Sequence, residues 1–173
     1  MKRTIVMTGL LAAMICLATT FLHINVGTSG YIHLGDAVIY LAATLLPTPY
    51  AVAAAAIGGV LADVFSGAAV WAVPTAIIKA VMVLAFTAKN ERILCRRNLI
   101  APLLAGLVCV GGYYMAETVI LVLGGSAWPA AFIGAAAGIA FNTVQVVGCG
   151  IAYIAVAAAL DRLSIKKRLQ KFG

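Results

Sequence analysis

The sequence predicts an all-α integral membrane protein with six transmembrane helices and both termini in the cytoplasm. Of its 173 residues, 64% are hydrophobic and only 10% are charged, and the mean hydropathy is +1.10. A soluble domain is about one quarter charged. The apolar residues form continuous runs without strand-like alternation, which excludes a barrel. These runs predict spans at residues 4–24, 32–47, 49–66, 70–88, 99–123 and 129–160 of a single domain, 1–173.

Short polar or turn-forming stretches separate the six segments. The first segment is too long for the apolar region of a signal peptide and is interpreted as a membrane helix. The sixth is long enough to be tilted or to extend into the cytoplasm. The separating stretches, in chain order, are NVGTSG, PTP, SGAA, KNERILCRRN and GGSAWP.

The basic residues predict the orientation. Eleven of the twelve Lys and Arg lie at the N-terminus, in the internal stretch 89–97, or near the C-terminus, which ends in a basic tail at 161–173. With six spans these regions share one side, and the loops predicted on the other side carry none. The positive-inside rule then places both termini in the cytoplasm. Because the charge of +7 is explained by topology, we expect no nucleic-acid partner.

Catalytic signatures are absent from the sequence. It contains no nucleotide-binding loop and no hydrolytic motif. The four cysteines show no spacing typical of a zinc site or a disulfide framework. We therefore expect no enzyme activity, no cofactor and no metal.

Lys79 and Glu117 are opposite charges at comparable predicted depth, on the fourth and fifth spans. Charges inside a bilayer are costly and usually mark a pathway or a binding site. Two interpretations stay open and can coexist: an ion pair that joins the two spans, or side chains that face a polar ligand.

Other polar side chains lie near this pair. Asn142 and Gln145, three residues apart on the sixth span, suit interhelical hydrogen bonds or ligand contacts equally. Tyr113 precedes Glu117 by one turn on the same helical face. Trp71, at a predicted outer end, is typical of an interfacial anchor, with stacking on a flat ligand as the alternative. Most of these groups fall in the outer half, which favours capture of a ligand over conduction.

The second span begins with titratable groups in the stretch GYIHLGDAVIY. His33, Asp36 and Tyr40 share one helical face. The predicted orientation places His33 and Asp36 at the outer mouth, where their cost is lower than at the bilayer centre, and Asp36 suits a helix N-terminus. We expect His33 to touch ligand and Asp36 to hold the base of a lid, whereas the role of Tyr40 is undecided.

Small residues on the first span occur at the spacing that permits close helix contact in lipid. Two roles are open for these small residues: packing inside the bundle, or docking of a partner helix. The residues are Gly9, Ala12, Ala13 and Cys16.

The order of four blocks resembles the substrate-binding S components of energy-coupling factor (ECF) vitamin transporters. The blocks are GYIHLGDAVIYLAATLLP, GGVLADVFSGAAVWAVPTAIIKA, GGYYMAETV and FNTVQVVG, and the resemblance covers about residues 5–160. Within this family the sequence most resembles the groups linked to riboflavin, or to pyridoxine and hydroxymethylpyrimidine. The queuosine-precursor group is a further alternative. Ala68 stands where many relatives have an aromatic residue, so the vitamin is not carried over.

The resemblance implies a substrate-capture subunit of an ATP-driven importer in the bacterial plasma membrane. Such subunits bind a vitamin from outside, under the loop between helices one and two, and dock onto a T subunit and two ATPase subunits. The small residues of helix one would be the docking surface. The implied substrate-binding residues are His33, Trp71, Lys79, Tyr113, Glu117, Asn142 and Gln145.

Two alternative functions stay open at this point. One is an autonomous ion-coupled transporter that uses Lys79 and Glu117 as a proton relay. The other is a membrane assembly protein without a ligand.

Overall fold

A computed structural model describes residues 2–25 and 31–171 of the chain. Most of the predicted loop NVGTSG, residues 26–30, lies outside the described residues, as do the last two residues of the predicted tail. Two short strands, β1 (His23–Asn25) and β2 (Tyr31–His33), pair antiparallel, with His23 opposite His33. The helices are α1 (Lys2–Phe21), α2 (Gly35–Leu45), α3 (Thr48–Phe65), α4 (Ala72–Val83), α5 (Arg96–Leu123), α6 (Trp128–Ala135), α7 (Ala137–Arg162) and α8 (Ile165–Lys171), and a 3-10 turn at Ala69–Trp71 precedes α4.

The all-α class is confirmed, while the six crossings remain a prediction. Within the described ranges, four helical segments are long and apolar enough to cross a membrane: α1, α3, α5 and the combined segment Trp128–Arg162. Helix α2 has 11 residues, which rise about 16 Å, against roughly 30 Å of hydrocarbon. The segment Ala69–Val83 is also short and apolar.

Several segments begin or end differently from their predicted bounds. Helix α1 ends at Phe21 instead of residue 24, and His23 and Ile24, expected in the first helix, belong to β1. Residues 32–34, expected in the second helix, belong to the β-hairpin and the bend after it. Helix α4 ends at Val83 instead of residue 88, because α5 supplies partners for the chain that follows. The Arg97 guanidinium donates to the carbonyls of Leu84 and Ala85, and the Asn98 amide bonds both backbone groups of Thr87.

The sixth predicted segment is one helical stretch with an irregular turn at Ala136, which separates α6 from α7. There the backbone bonds tighten, since the Ala136 amide donates to Ile133 and the Ile139 amide donates to Ala136. Such i→i+3 bonds are typical of a local 3-10 turn.

Close helix packing surrounds α2. Helix α1 lies against α3 at Gly58, where a Cβ would come within 2.6 Å of the Ala12 carbonyl oxygen, so only glycine permits this approach. Helix α3 packs on α4, α4 on α5, and α5 on α7. Tyr40 of α2 is completely buried and stacks on Phe86, with its ring also edge-on to Tyr153.

Large apolar side chains cover the outside of the bundle. Leu103 and Leu107 of α5 are 68% and 66% exposed, and Ile151 of α7 is 66% exposed. Contiguous apolar surface of this kind marks contact with lipid or protein. The outer surface is therefore that of a membrane protein.

The loop between α4 and α5 is fastened to the end of α7. Both oxygens of the Asp161 carboxylate accept backbone N–H bonds, from Ile93 at 2.8 Å and from Leu94 at 2.9 Å. At the surface, Lys167 of α8 pairs with Glu91 at 2.9 Å, and this hydrogen bond lowers the pKa of Glu91. The basic loop and the basic C-terminal region therefore lie together, as their predicted location on one side of the membrane requires.

Candidate substrate-binding site

A buried polar network joins α2, α4 and α7. The Lys79 ammonium donates to Oδ1 of Asp36 at 2.6 Å, and the Gln145 amide donates to Oδ2 at 3.0 Å. Cys109 of α5 completes the surroundings, with its sulfur 3.8 Å from the Asp36 carboxylate and 3.9 Å from the Lys79 nitrogen. The carboxylate is thus satisfied by an ammonium and an amide, as a buried charge requires.

The position of Asp36 differs from the sequence-based expectation. It was placed at the outer mouth, where water would lower its cost, but its exposed fraction is 0%. The β-hairpin precedes α2 directly, so Asp36 lies inside the bundle and not at a solvated helix end. Burial without a counterion would be costly in a membrane, and Lys79 supplies that counterion.

The partner of Lys79 is not the one named by the ion-pair interpretation of the sequence. In the described part of the chain its ammonium forms an ion pair with Asp36, and the proposed pair with Glu117 is not formed. Glu117 instead lies against α7, where a Cβ on Gly138 would come 2.8 Å from its Oε2. The sequence placed several carboxylates in the membrane segments but did not resolve which of them would reach Lys79.

His33 occupies the junction between the hairpin and α2. It is buried, and its Nδ1 accepts the backbone N–H of Gly35 at 3.1 Å. Its own backbone N–H donates to Gln145 Oε1 at 3.3 Å, and its carbonyl accepts from the Cys149 thiol at 3.2 Å. The backbone of His33 is therefore held by α7 on both its N–H and its carbonyl side.

An aromatic pair links α4 and α5 next to the network. The rings of Trp71 and Tyr113 are 5.8 Å apart, and the Tyr113 hydroxyl lies 3.0 Å from the Thr75 hydroxyl. The Lys79 nitrogen is 5.1 Å from the centre of the Tyr113 ring, within the range of a cation–π contact. Trp71 and Tyr113 are both half-buried, so each side chain keeps part of its surface exposed.

Thr75 was missed by the sequence reasoning. The available signal was its position one turn before Lys79 and one turn after Trp71, on the face that carries both. Cys109 and Cys149, which were not among the residues that the sequence suggested for the site, are also members of the polar surroundings.

Glu117 and Asn142 form a second polar group beyond Tyr113. Both side chains are half-buried, and both lie next to the same small residue, Gly138. The Asn142 amide nitrogen would be 3.7 Å from a Cβ at that position. A carboxylate and an amide thus lie side by side, ready to accept and donate hydrogen bonds.

Of the four small residues expected in a docking surface, two face outward. Gly9 and Ala13 are exposed, and the space next to Gly9 is open. Ala12 and Cys16 are 5% and 7% exposed and pack inside the bundle. The exposed stripe is therefore Gly9–Ala13, one turn apart on α1.

Taken together, these features define a class of protein. Apolar helices of membrane-spanning length pack around a buried polar network and an aromatic pair, which describes a multi-pass membrane protein with polar groups in its interior.

The sequence matches the family model described as ECF-type riboflavin transporter, S component, over residues 1–165. The chain therefore belongs to this family of ECF-type S components. It is a non-catalytic, substrate-binding subunit of an ECF transporter and a multi-pass membrane protein. Among curated proteins, none matches the chain.

Proposed function

We propose that this S component captures riboflavin at a site between α4, α5 and α7. The carrying observation is the half-buried row formed by Trp71, Tyr113, Glu117 and Asn142, which lies beside the closed Asp36–Lys79 pair. The row combines two ring faces with a carboxylate and an amide. It is thus suited to a ligand with one flat apolar part and one part rich in hydrogen-bonding groups.

Riboflavin has this chemistry. Its tricyclic ring offers a face for offset stacking on Trp71 or Tyr113, a geometry that aromatic pairs favour. Its ring imide and ribityl hydroxyls offer donors and acceptors that match Glu117 and Asn142. Lys79, Gln145 and His33, which the resemblance also placed in the site, would form its base, since their polar groups contact Asp36 or one another.

Delivery would use the exposed stripe on α1. Gly9 and Ala13 permit close approach of a partner helix in lipid, and the flanking Leu10 and Leu17 are 60% and 55% exposed. We propose that this stripe docks onto the T subunit, which works with two ATPase subunits, and that the chain crosses the bilayer six times with cytoplasmic termini. The joined basic loop and α8 support that orientation.

Binding to the purified protein in nanodiscs tests the capture function. Titration of riboflavin, followed through its fluorescence, should show saturable binding without ATP. Pyridoxine, hydroxymethylpyrimidine and a deazaguanine base serve as competitors from the other vitamin-related groups. Saturable binding of one of these with no binding of riboflavin would overturn the proposed substrate.

Transport assays separate this function from ion-coupled transport. Proteoliposomes with the S component alone should not accumulate riboflavin under a proton gradient, whereas addition of the T and ATPase subunits with ATP should restore uptake. Gradient-driven uptake by the S component alone would contradict the proposal.

A further inference from the structure

A pair of hydroxyl groups connects α4 to α5 beside the aromatic rings of the proposed site. The oxygens of Thr75 and Tyr113 lie 3.0 Å apart. We propose that Thr75 is a positioning residue that directs the Tyr113 hydroxyl, as a hydrogen-bond donor, toward the ligand. The site would then favour ligands with an acceptor atom, such as a ring carbonyl oxygen, at that edge. The ligand part of this inference rests on the proposed riboflavin function.

Helix α3 fixes the side chain of Thr75 from the opposite side. A Cβ on Gly59 of α3 would lie 2.8 Å from the Thr75 Cγ2 methyl carbon, so the backbone of α3 packs directly on that methyl group. A β-branched side chain has few χ1 rotamers in a helix. With its methyl group against α3, Thr75 has its hydroxyl next to Tyr113. The direction of this hydroxyl is therefore determined by the packing of α3 on α4.

The two hydroxyls together have one hydrogen more than their mutual bond uses. Each hydroxyl carries a single donor hydrogen, and the bond between them employs one of the two. Thr75 is only 2% exposed, whereas Tyr113 is half-buried. A buried donor without a partner carries the full desolvation cost. We therefore assign Thr75 as the donor within the pair, which leaves the Tyr113 hydrogen for a partner outside it.

Tyr113 connects the hydroxyl pair to the rest of the proposed site. Its ring centre lies 5.8 Å from the Trp71 ring centre and 5.1 Å from the Lys79 nitrogen. An acceptor at the edge of a ligand ring stacked on this aromatic pair would accept from the Tyr113 hydroxyl. The same side chain thus contributes a ring to the stacking surface and a donor whose orientation depends on Thr75.

NMR of the ligand-free, full-length protein in nanodiscs tests the positioning role. The chain has six tyrosines, and with ¹³C label at the tyrosine Cζ atoms the signal of Tyr113 is identified by its loss in Tyr113→Phe. This signal reports the hydrogen bonding of the hydroxyl and should shift in Thr75→Val, which keeps the shape of threonine without its hydroxyl. Thr75→Ser retains the hydroxyl and should return the signal toward its wild-type position.

Thr118→Val is the matched control for this measurement. Thr118 is fully buried on α5, and its hydroxyl donates to the Tyr114 carbonyl of its own helix at 2.9 Å. The Tyr113 signal in this variant should match wild type. An unshifted Tyr113 signal in Thr75→Val would overturn the inference. Thr75→Ala replaces Thr75→Val if the valine variant fails to fold, with the same expected shift.

Fluorescence titration of riboflavin tests the consequence for the ligand. Thr75→Val and Tyr113→Phe should each weaken binding about tenfold, the scale of one lost hydrogen bond. Because the two hydroxyls act as a unit, the double variant should bind no more weakly than Tyr113→Phe alone. Thr75→Ser should recover most of the affinity, and Thr118→Val should bind as wild type does.

The outcomes separate this inference from the proposed function. Additive losses in the double variant would mean that Thr75 acts independently of Tyr113, and wild-type affinity in Tyr113→Phe would remove the donor role; either result overturns the inference. If wild type does not bind riboflavin, the proposed function fails, while the NMR comparison still decides whether Thr75 positions the Tyr113 hydroxyl.

Discussion

The ammonium of Lys79 lies 2.6 Å from Oδ1 of Asp36, and the two side chains are only 3% and 0% exposed. The two residues belong to α4 and α2, two apolar helices that are shorter than the length needed to span a membrane. The ion pair therefore connects the largely buried helix α2 to the inner face of α4, whose opposite face is exposed at Val73 and Ile77.

Removing one member of this pair should be more destabilising than removing both. Asp36→Asn or Lys79→Met leaves a buried charge without its partner, a change that typically costs about 3–5 kcal/mol. The double variant leaves no isolated charge and should recover much of that loss. Thermal unfolding in detergent compares the Tm of wild type, the two single variants and the double variant. Glu91→Gln, which removes an ion pair of two exposed side chains, is the control and should leave the Tm unchanged. Additive losses in the double variant would contradict the ion pair.

Trp71→Ala should weaken riboflavin binding about tenfold, because it removes a ring from the proposed stacking surface. Trp128→Ala is the matched control. Trp128 of α6 is 53% exposed, and the centre of its ring lies 6.0 Å from the ring centre of Phe132. Fluorescence titration should show near-wild-type affinity for this control. Equal losses in the two variants would mean that Trp71 acts as a membrane anchor.

A single methyl group at Gly138 should displace the Glu117 carboxylate. Its Cβ would lie 2.8 Å from Oε2, the far end of a flexible side chain, so Gly138→Ala should retain stability and lose affinity. Gly148→Ala on the same helix, with open space around it, should change neither. Glu117→Gln should weaken binding about ten- to a hundredfold if the carboxylate accepts a hydrogen bond from the ligand. Wild-type affinity in both Gly138→Ala and Glu117→Gln would place Glu117 outside the site.

Ala13→Leu should separate capture from delivery. The residue is exposed on α1, so the bulky side chain should leave riboflavin binding intact and abolish ATP-driven uptake with the T and ATPase subunits. Gly148→Leu places the same side chain on an exposed position of α7 and should retain uptake. Ala12→Leu, at a buried position, should instead lower stability by about 1–3 kcal/mol through overpacking. Normal uptake with Ala13→Leu would exclude the stripe from docking.

Much of the architecture could be predicted from composition and charge. Apolar runs and the positions of Lys and Arg depend on local sequence, which is why the helical class and the common location of the basic segments could be expected. The face shared by Asp36 and Tyr40 on α2 was also predictable from helical spacing, and both residues are buried. The extension of that helical face to His33 was wrong, because His33 belongs to β2.

The hairpin and the depth of Asp36 were not predicted. The alternating residues around NVGTSG were a strand signal that the strong helical pattern obscured. Once β2 extends to His33, α2 begins only at Gly35, and Asp36 comes to lie under the hairpin.

Partner choice was unpredictable for a different reason. Asp36 and Lys79 are 43 residues apart in the chain, and the sequence alone does not specify which carboxylate α4 will face. The same argument applies to Gln145, whose amide could have pointed to ligand or to protein.

The separation of Asp36 from its partners also has a consequence for synthesis. At about 5–20 residues per second, the ribosome needs roughly 2–9 s to add the 43 residues that lead to Lys79. Gln145 is 109 residues away and is made later still. A newly made α2 therefore carries its carboxylate before Lys79, its ion-pair partner in the folded protein, has been synthesised. The Asp36–Lys79 ion pair can thus form only after Lys79 has been synthesised.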